Sequence, residues 1–534
     1  MAAVAAGTGL AIAAPAAGGG SRPDGPAGPE WACHVIDASS RGADGVKVAD
    51  VNGDGLGDIA TGWEEGGLTR VYLHPGRAKV KAAWPAVTVG RTPSVEDAAF
   101  VDLDADGAPD VVSCCEGRRR AVLVHWAPKD PADLLDGGKW TQAVLPESEN
   151  RMQWMFAWGM QVDGRHGVDV IAGGKGKGAA VGWFEAPADP RDLKGWRWHP
   201  ISDAGWIMSI WPRDVDGDGR TDVVVSDRYG PLRGCRWLRN PGAGPAQARP
   251  WANHFIGAKG RQVMSMALAD LDADGLEDAL VAAGGSRVLF LRRLDKAGRT
   301  WRTHEIGADF GCGNPRAVAV GDLNGDGRPD IALTTWNARG RHGVLWLEYR
   351  RRPTDRAWTP HAVSGTEKGI KYDRIELGDL DGDGDLDLLT CEESEGRRGL
   401  GVVWYENPSA RRAQGVRGRV VKLKGNFMPG PGARPGGTRT PLAVPVHVFE
   451  GKVKPFAGPN PKHPQFVKVV RAGADGAFRV ALPPGEYTVV AEIGGRLYLN
   501  LVQTTPDGPA WGTVTVKPGQ WSTVNIEDTS EAAF

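Results

Sequence analysis

The chain has 534 residues, more than one domain usually holds, and 64 basic against 65 acidic residues leave a net charge of −1. That balance offers no global attraction to nucleic acid or to an anionic membrane surface. With 76 Gly, 38 Pro and 21 Trp against 7 Tyr, the composition is turn-rich and all-β, with ample material for a core.

The N-terminal stretch MAAVAAGTGLAIAAPAAGGG carries no Lys or Arg before Arg22. It reads either as the apolar and cleavage part of an export signal without its basic start, or as an Ala/Gly leader. It is too short and too Gly-rich for a membrane span, and residues 16–29 continue as a Gly/Pro/Ser linker. The six cysteines, Cys33, Cys114, Cys115, Cys235, Cys312 and Cys391, have no zinc spacing. Their even number permits disulfides, and Cys114–Cys115 reads as a vicinal disulfide or as two buried thiols.

Seven short acidic loops follow, starting at Asp50, Asp102, Gln161, Asp214, Asp270, Asp322 and Asp379, in steps of 52 to 59 residues. Six keep the pattern D-x-[DN]-x-D-G-x-x-D. Their candidate ligands are Asp50, Asn52, Asp54 and Asp58; Asp102, Asp104, Asp106 and Asp110; Asp214, Asp216, Asp218 and Asp222. The later three sets are Asp270, Asp272, Asp274 and Asp278; Asp322, Asn324, Asp326 and Asp330; Asp379, Asp381, Asp383 and Asp387. Hard oxygens at alternate positions of a tight loop converge on one point, which suits Ca²⁺. In the third loop Gln161 replaces the first carboxylate and Arg165 stands where a ligand belongs, so about six calcium sites are expected rather than seven. No EF-hand glutamate sits at position twelve, and a strand pattern follows each loop, as in Val223-Val224-Val225.

These loops resemble the FG-GAP/VCBS repeats of integrin-alpha-type β-propellers, in which a calcium loop joins two strands of each blade. The resemblance covers about residues 30–408. It implies structural metals on one face and a working surface on the opposite face. Millimolar extracellular calcium would suit such loops, so an exported protein is expected, whether secreted, periplasmic or on the cell surface.

Two further repeats complete the unit. The pattern W-x-x-H-x-I recurs at Trp31/His34/Ile36, Trp196/His199/Ile201, Trp251/His254/Ile256, Trp301/His304/Ile306 and, with Val363, at Trp358/His361, with weaker copies at Trp84 and Trp140. Its histidines lie in different repeats and are expected to be structural. Apolar runs ended by Pro, such as Trp404-Tyr405-Glu406-Asn407-Pro408, read as third strands. The unit is thus inner strand, acidic loop, second strand, third strand and outer strand. The chain starts with an outer strand and ends the series on a third strand, so the N-terminal strand is expected to complete blade seven.

The fold class expected is therefore all-β: a seven-bladed propeller over 30–410 after a leader and linker at 1–29, then a small β-sandwich over 411–534. In the last part, alternating runs such as Val444–Phe449 and Tyr487–Glu492 predict strands. The stretch Asp475–Tyr487 resembles carboxypeptidase-regulatory-like (transthyretin-like) sandwiches, which implies an accessory role.

Six positions past the last loop carboxylate stand Glu64, Glu116, Lys175, Arg228, Gly284, Trp336 and Glu393. These equivalent positions diverge into both charge signs and an aromatic, whereas scaffold positions converge. Glu64, Glu116, Lys175, Arg228, Trp336, Tyr372, Arg374 and Glu393 are therefore expected to line one shallow pocket for a glycan, particularly an acidic one, or for a protein ligand. A sugar lyase or dehydratase on the same face would draw on Tyr372, Arg374, Lys175, Arg228 and His342 for proton transfer. An adhesion or assembly role is the third alternative. Neither G-x-S-x-G nor H-E-x-x-H occurs.

Overall fold

The computed structural model describes residues 26–285, 287–307, 310–393, 399–408, 415–427, 437–482, 485–500, 502–505, 508–517 and 520–533. Residues 1–25 of the leader and linker expected at 1–29, and the expected boundary between propeller and sandwich at 410–411, lie outside these residues.

Seven four-stranded antiparallel sheets form the propeller. Blade 1 runs Ala43–Ala49, Asp58–Trp63, Leu68–Tyr72 and Ala86–Arg91, and blades 2 to 6 repeat this order. The innermost strands pack in a closed cycle, with Tyr372–Gly378 of blade 7 returning to Ala43–Ala49 of blade 1. Blade 7 takes its outer strand from the other end of the chain: Ala32–Asp37 pairs antiparallel with Gly401–Glu406. Just before it, Ala27 bridges His361 of blade 6, so the last part of the expected linker is fixed to the propeller.

Burial explains the sequence patterns. Blades stack face to face, so second strands are covered on both sides and read as continuous runs; Asp58–Trp63 and Asp278–Ala283 are buried throughout. Outer strands alternate, as Ala86–Arg91 does. The W-x-x-H-x-I repeat is scaffold. Its Trp ties down the preceding turn, as Trp358 Nε1 donates to Asp355 O (2.9 Å) and Trp251 Nε1 to Gln247 O (3.0 Å). Its His lies directly across from a third-strand aromatic: His361 stacks on Trp346 at 3.8 Å and His199 lies over Trp183 at 4.8 Å. All six cysteines are free thiols, and Cys114 and Cys115 are both buried.

Each innermost strand has a register shift near its start, between Asp44 and Lys47, Val95 and Asp97, Trp154 and Phe156, and equivalently through to Tyr372 and Ile375. Such bulges re-aim side chains around the axis.

Beyond the propeller, Gly415–Asn426 is the central strand of one sheet, antiparallel to Thr438–Pro441 and Ala477–Ala481 and parallel to Trp521–Thr523 and Ile526–Ala533. A second sheet orders Phe466–Arg471, Pro445–Glu450, Gly485–Ile493 and Arg496–Tyr498. Val416 and Val420 of the first sheet share one core with Val446, Val448 and Val489 of the second.

Candidate functional site

The acidic loops all lie at one end of the axis, between inner and second strands. Positions four and six of each take the left-handed backbone: Gly53 and Gly55 have φ of 75° and 81°, and even the divergent third loop has Gly164 at 74° and His166 at 54°. Oxygens of Asp102, Asp104 and Asp110 lie within 4.8 Å of one another, as do those of Asp214, Asp216 and Asp218, and of Asp270, Asp272 and Asp278. Asp102 Oδ1, Asp104 Oδ1, Asp216 Oδ1 and Asp272 Oδ1 are buried without a hydrogen-bond partner, a donor set that fits a hard cation.

The ninth-position aspartates have a second task the sequence did not reveal. Asp58 accepts from Val51 N–H (3.0 Å) and His74 N–H (2.8 Å), stapling the loop to the end of the third strand. Asp169 makes the same two bonds to Val162 and Ala186 in the third blade, where Gln161 and Arg165 replace two of the other ligands. There Arg165 sits between Asp163 and Glu185, with Nη2 2.8 Å from Glu185 Oε1, so a guanidinium occupies the loop.

At the opposite end, a circuit of contacts surrounds the axis. Glu64, Glu96 and Glu116 bring oxygens within 4.8 Å of each other. Lys175 Nζ pairs with Glu116 and with Glu96 (2.9 Å), and lies 4.4 Å above the ring of Trp206. Arg228 stacks on the same Trp206 at 4.9 Å and on Tyr229 at 5.0 Å; its Nε is buried and has no partner. Arg316 grips Asp373 with two bonds of 2.8 and 2.7 Å. Asp44, Glu64 and Glu393 then close the ring within 4.8 Å of one another, and Lys371 pairs with Glu393. At the equivalent position blade 5 has the exposed Gly284, which brings no side chain to the rim.

Electrostatics divides this mouth into an acidic half from blades 7, 1 and 2 and a basic, aromatic half from blades 3, 4 and 6. Burial, reinforced by Glu96, pushes the Glu116 carboxyl up to about 7. Burial pushes Glu393 up to about 8 despite Lys371. Asp44 is raised well above the usual carboxylate range by burial and by Asp373. Burial would raise Asp373, but the Arg316 ion pair, a hydrogen bond from Asp44 and the charge of Arg374 together hold it low.

Of the residues expected here, Glu64, Glu116, Lys175, Arg228 and Glu393 meet at the mouth, and Trp336 joins them half-buried beside Lys371. Tyr372 does not. It is 0% exposed in the core between blades 6 and 7, its hydroxyl on Tyr405 Oη (2.9 Å) and Lys368 O (3.1 Å), and burial raises it beyond the ordinary phenol range. That removes it as a proton-transfer group. Arg374 sits deeper along the axis, donating to Met208 O (3.1 Å) and lying over Phe156 at 4.0 Å. His342 belongs to the turn after Trp336, where its backbone bridges Cys312, away from the charged circuit. Sequence reasoning missed Asp44, whose place is set by the strand bulge.

The sequence matches a family model of FG-GAP-like repeats over residues 50–113, 214–281, 270–333 and 322–390. No curated protein matches. Similar solved structures include an Agrocybe aegerita lectin described as recognising non-reducing terminal N-acetylglucosamine, 17% identical over 60% of this chain and 79% of that one, with a TM-score of 0.34. Another is YCF48 from Cyanidioschyzon merolae, 9% identical over 71% of this chain and 99% of that one, with a TM-score of 0.44. The repeats and the seven four-stranded sheets together make this chain a β-propeller that carries FG-GAP-like repeats.

Proposed function

We propose that this is an exported, calcium-stabilised binding propeller that holds an acidic carbohydrate at the mouth opposite its acidic loops. The observation that carries the reading is Arg228: a guanidinium resting on the paired rings of Trp206 and Tyr229, with no ion pair among the described residues, across the axis from a row of carboxylates. A uronate carboxylate pairs with that cation, sugar hydroxyls donate to Glu64, Glu96 and Glu116, and a C–H face lies on Trp206. Calcium is held by the four acidic positions of six loops, and the third loop is served by Arg165. The C-terminal sheets act as an accessory unit. A glycan array, followed by calorimetry with uronic-acid oligosaccharides, tests the reading. Saturable binding lost in Arg228→Ala supports it; binding only to neutral glycans, or none, removes it.

One observation favours a catalytic version. Glu116 and Glu393, raised to about 7 and about 8, change protonation near neutral pH on opposite sides of Glu64. A lyase of this kind releases unsaturated uronate products with a pH profile that Glu393→Gln alters. Absorbance of the unsaturated product is the measurement.

A further inference from the structure

A different part of the axis is left unexplained by this reading. In the half nearer the acidic loops the inner strands line a partly open cavity of about 230 Å³, walled by Lys47, Trp211, Ser265, Met266, Arg374 and Glu376. Lys47 and Arg374 are each 9% exposed, and Asp97, 1% exposed, faces the same two cations from the neighbouring inner strand. Among the described residues no ion pair joins any two of Lys47, Asp97, Arg374 and Glu376. Lys47 Nζ makes no hydrogen bond there; it stands 4.6 Å from the ring of Trp158.

Buried opposite charges ordinarily close on one another, because each is costly to leave unpaired. Here Lys47, Arg374 and Glu376 line a void with no ion pair between them, and Asp97 stands behind its wall. Burial accordingly lowers Lys47 and raises Asp97 and Glu376. With Asp97 behind the wall, the two lining cations are matched by Glu376 and Asp97, so the region selects neither a strong anion nor a metal ion. It calls for a net-neutral guest whose groups both donate and accept, and hydroxyls do both. Trp211 lines the cavity with its ring 5.6 Å from that of Trp158, giving a flat apolar flank. We propose that this axial cavity is a second binding site, for a neutral polyol of monosaccharide size, separate from the opposite mouth. The guest donates hydroxyl protons to Glu376, accepts from Lys47 and Arg374, and lays a C–H face on Trp211.

The test titrates the calcium-loaded full chain with myo-inositol, D-glucose and D-galactose, following tryptophan fluorescence and heat. A saturable response to at least one, weakened tenfold or more in Glu376→Gln and in Lys47→Met, is expected. The isosteric Glu376→Gln keeps the test readable should Lys47→Met fail to fold. The proposal is overturned by no saturable response to any of the three, by a response to glycine or serine in their place, or by unchanged affinity in Glu376→Gln.

Discussion

His34 Nε2 lies 2.8 Å from Glu406 Oε2 although 372 residues separate them, and the same imidazole lies over Trp404 at 4.5 Å. This contact marks the seam where the outer strand from the chain's start completes the last blade. A chain beginning at Gly45 lacks that strand and exposes the edge of Gly401–Glu406. It is expected to melt lower by roughly 5 °C or more, or to aggregate. A chain beginning at Gly28 keeps the seam and is expected to melt close to the full chain. Calorimetry of the two decides, and equal midpoints would refute the closure.

Calcium removal is the second test. Chelator is expected to lower the melting midpoint and calcium to restore it, since a ligand at a hundredfold over its dissociation constant adds about 2.7 kcal/mol per site. Metal analysis is expected to count about six ions per chain. Asp54→Ala lowers that count by one, whereas Arg165→Ala leaves it unchanged. A melting curve indifferent to chelator would sink the metal reading.

At the mouth, Arg228→Ala is expected to weaken an acidic glycan by tenfold or more, since a charge-assisted contact contributes about 1.5–3 kcal/mol. Tyr372→Phe gives the converse result. Its hydroxyl is buried on Tyr405, so affinity stays unchanged while stability drops by about 1 kcal/mol. Paired binding and melting measurements separate the two, and loss of binding in Tyr372→Phe would return that residue to the site.

His125 supplies a pH dependence. Its ring is fully buried between Ser113 Oγ (2.9 Å) and Val89 O (3.2 Å), and burial lowers it from 6.5 to about 4. The folded state thus favours the neutral ring. Its contribution is full above pH 6.5 and is lost as pH falls from there towards about 4, on the order of 3 kcal/mol in all. Urea unfolding of the wild type and of His125→Gln is expected to show a stability gap that narrows over this window. Parallel profiles would count against it.

The fold was legible in the residues because its determinants are local and repeated. Gly55 sits where the loop turns left-handed, continuous apolar runs mark strands covered on both faces, and the surplus outer strand at Trp31 announced how the ring closes. The rim was legible only where a backbone position is shared, as for Glu64, Glu116, Lys175, Arg228 and Glu393. On the inner strands alternation alone misleads, because a bulge between Tyr372 and Ile375 breaks the two-residue period. It lets the adjacent Asp373 and Arg374 both reach the axis and turns Tyr372 into the blade core. The sequence by itself determined the blades, their number and the loop chemistry, since these depend on neighbours along the chain. Tertiary structure decided which charges meet, because a slip of one residue changes the face a side chain presents and only packing around the axis sets that register.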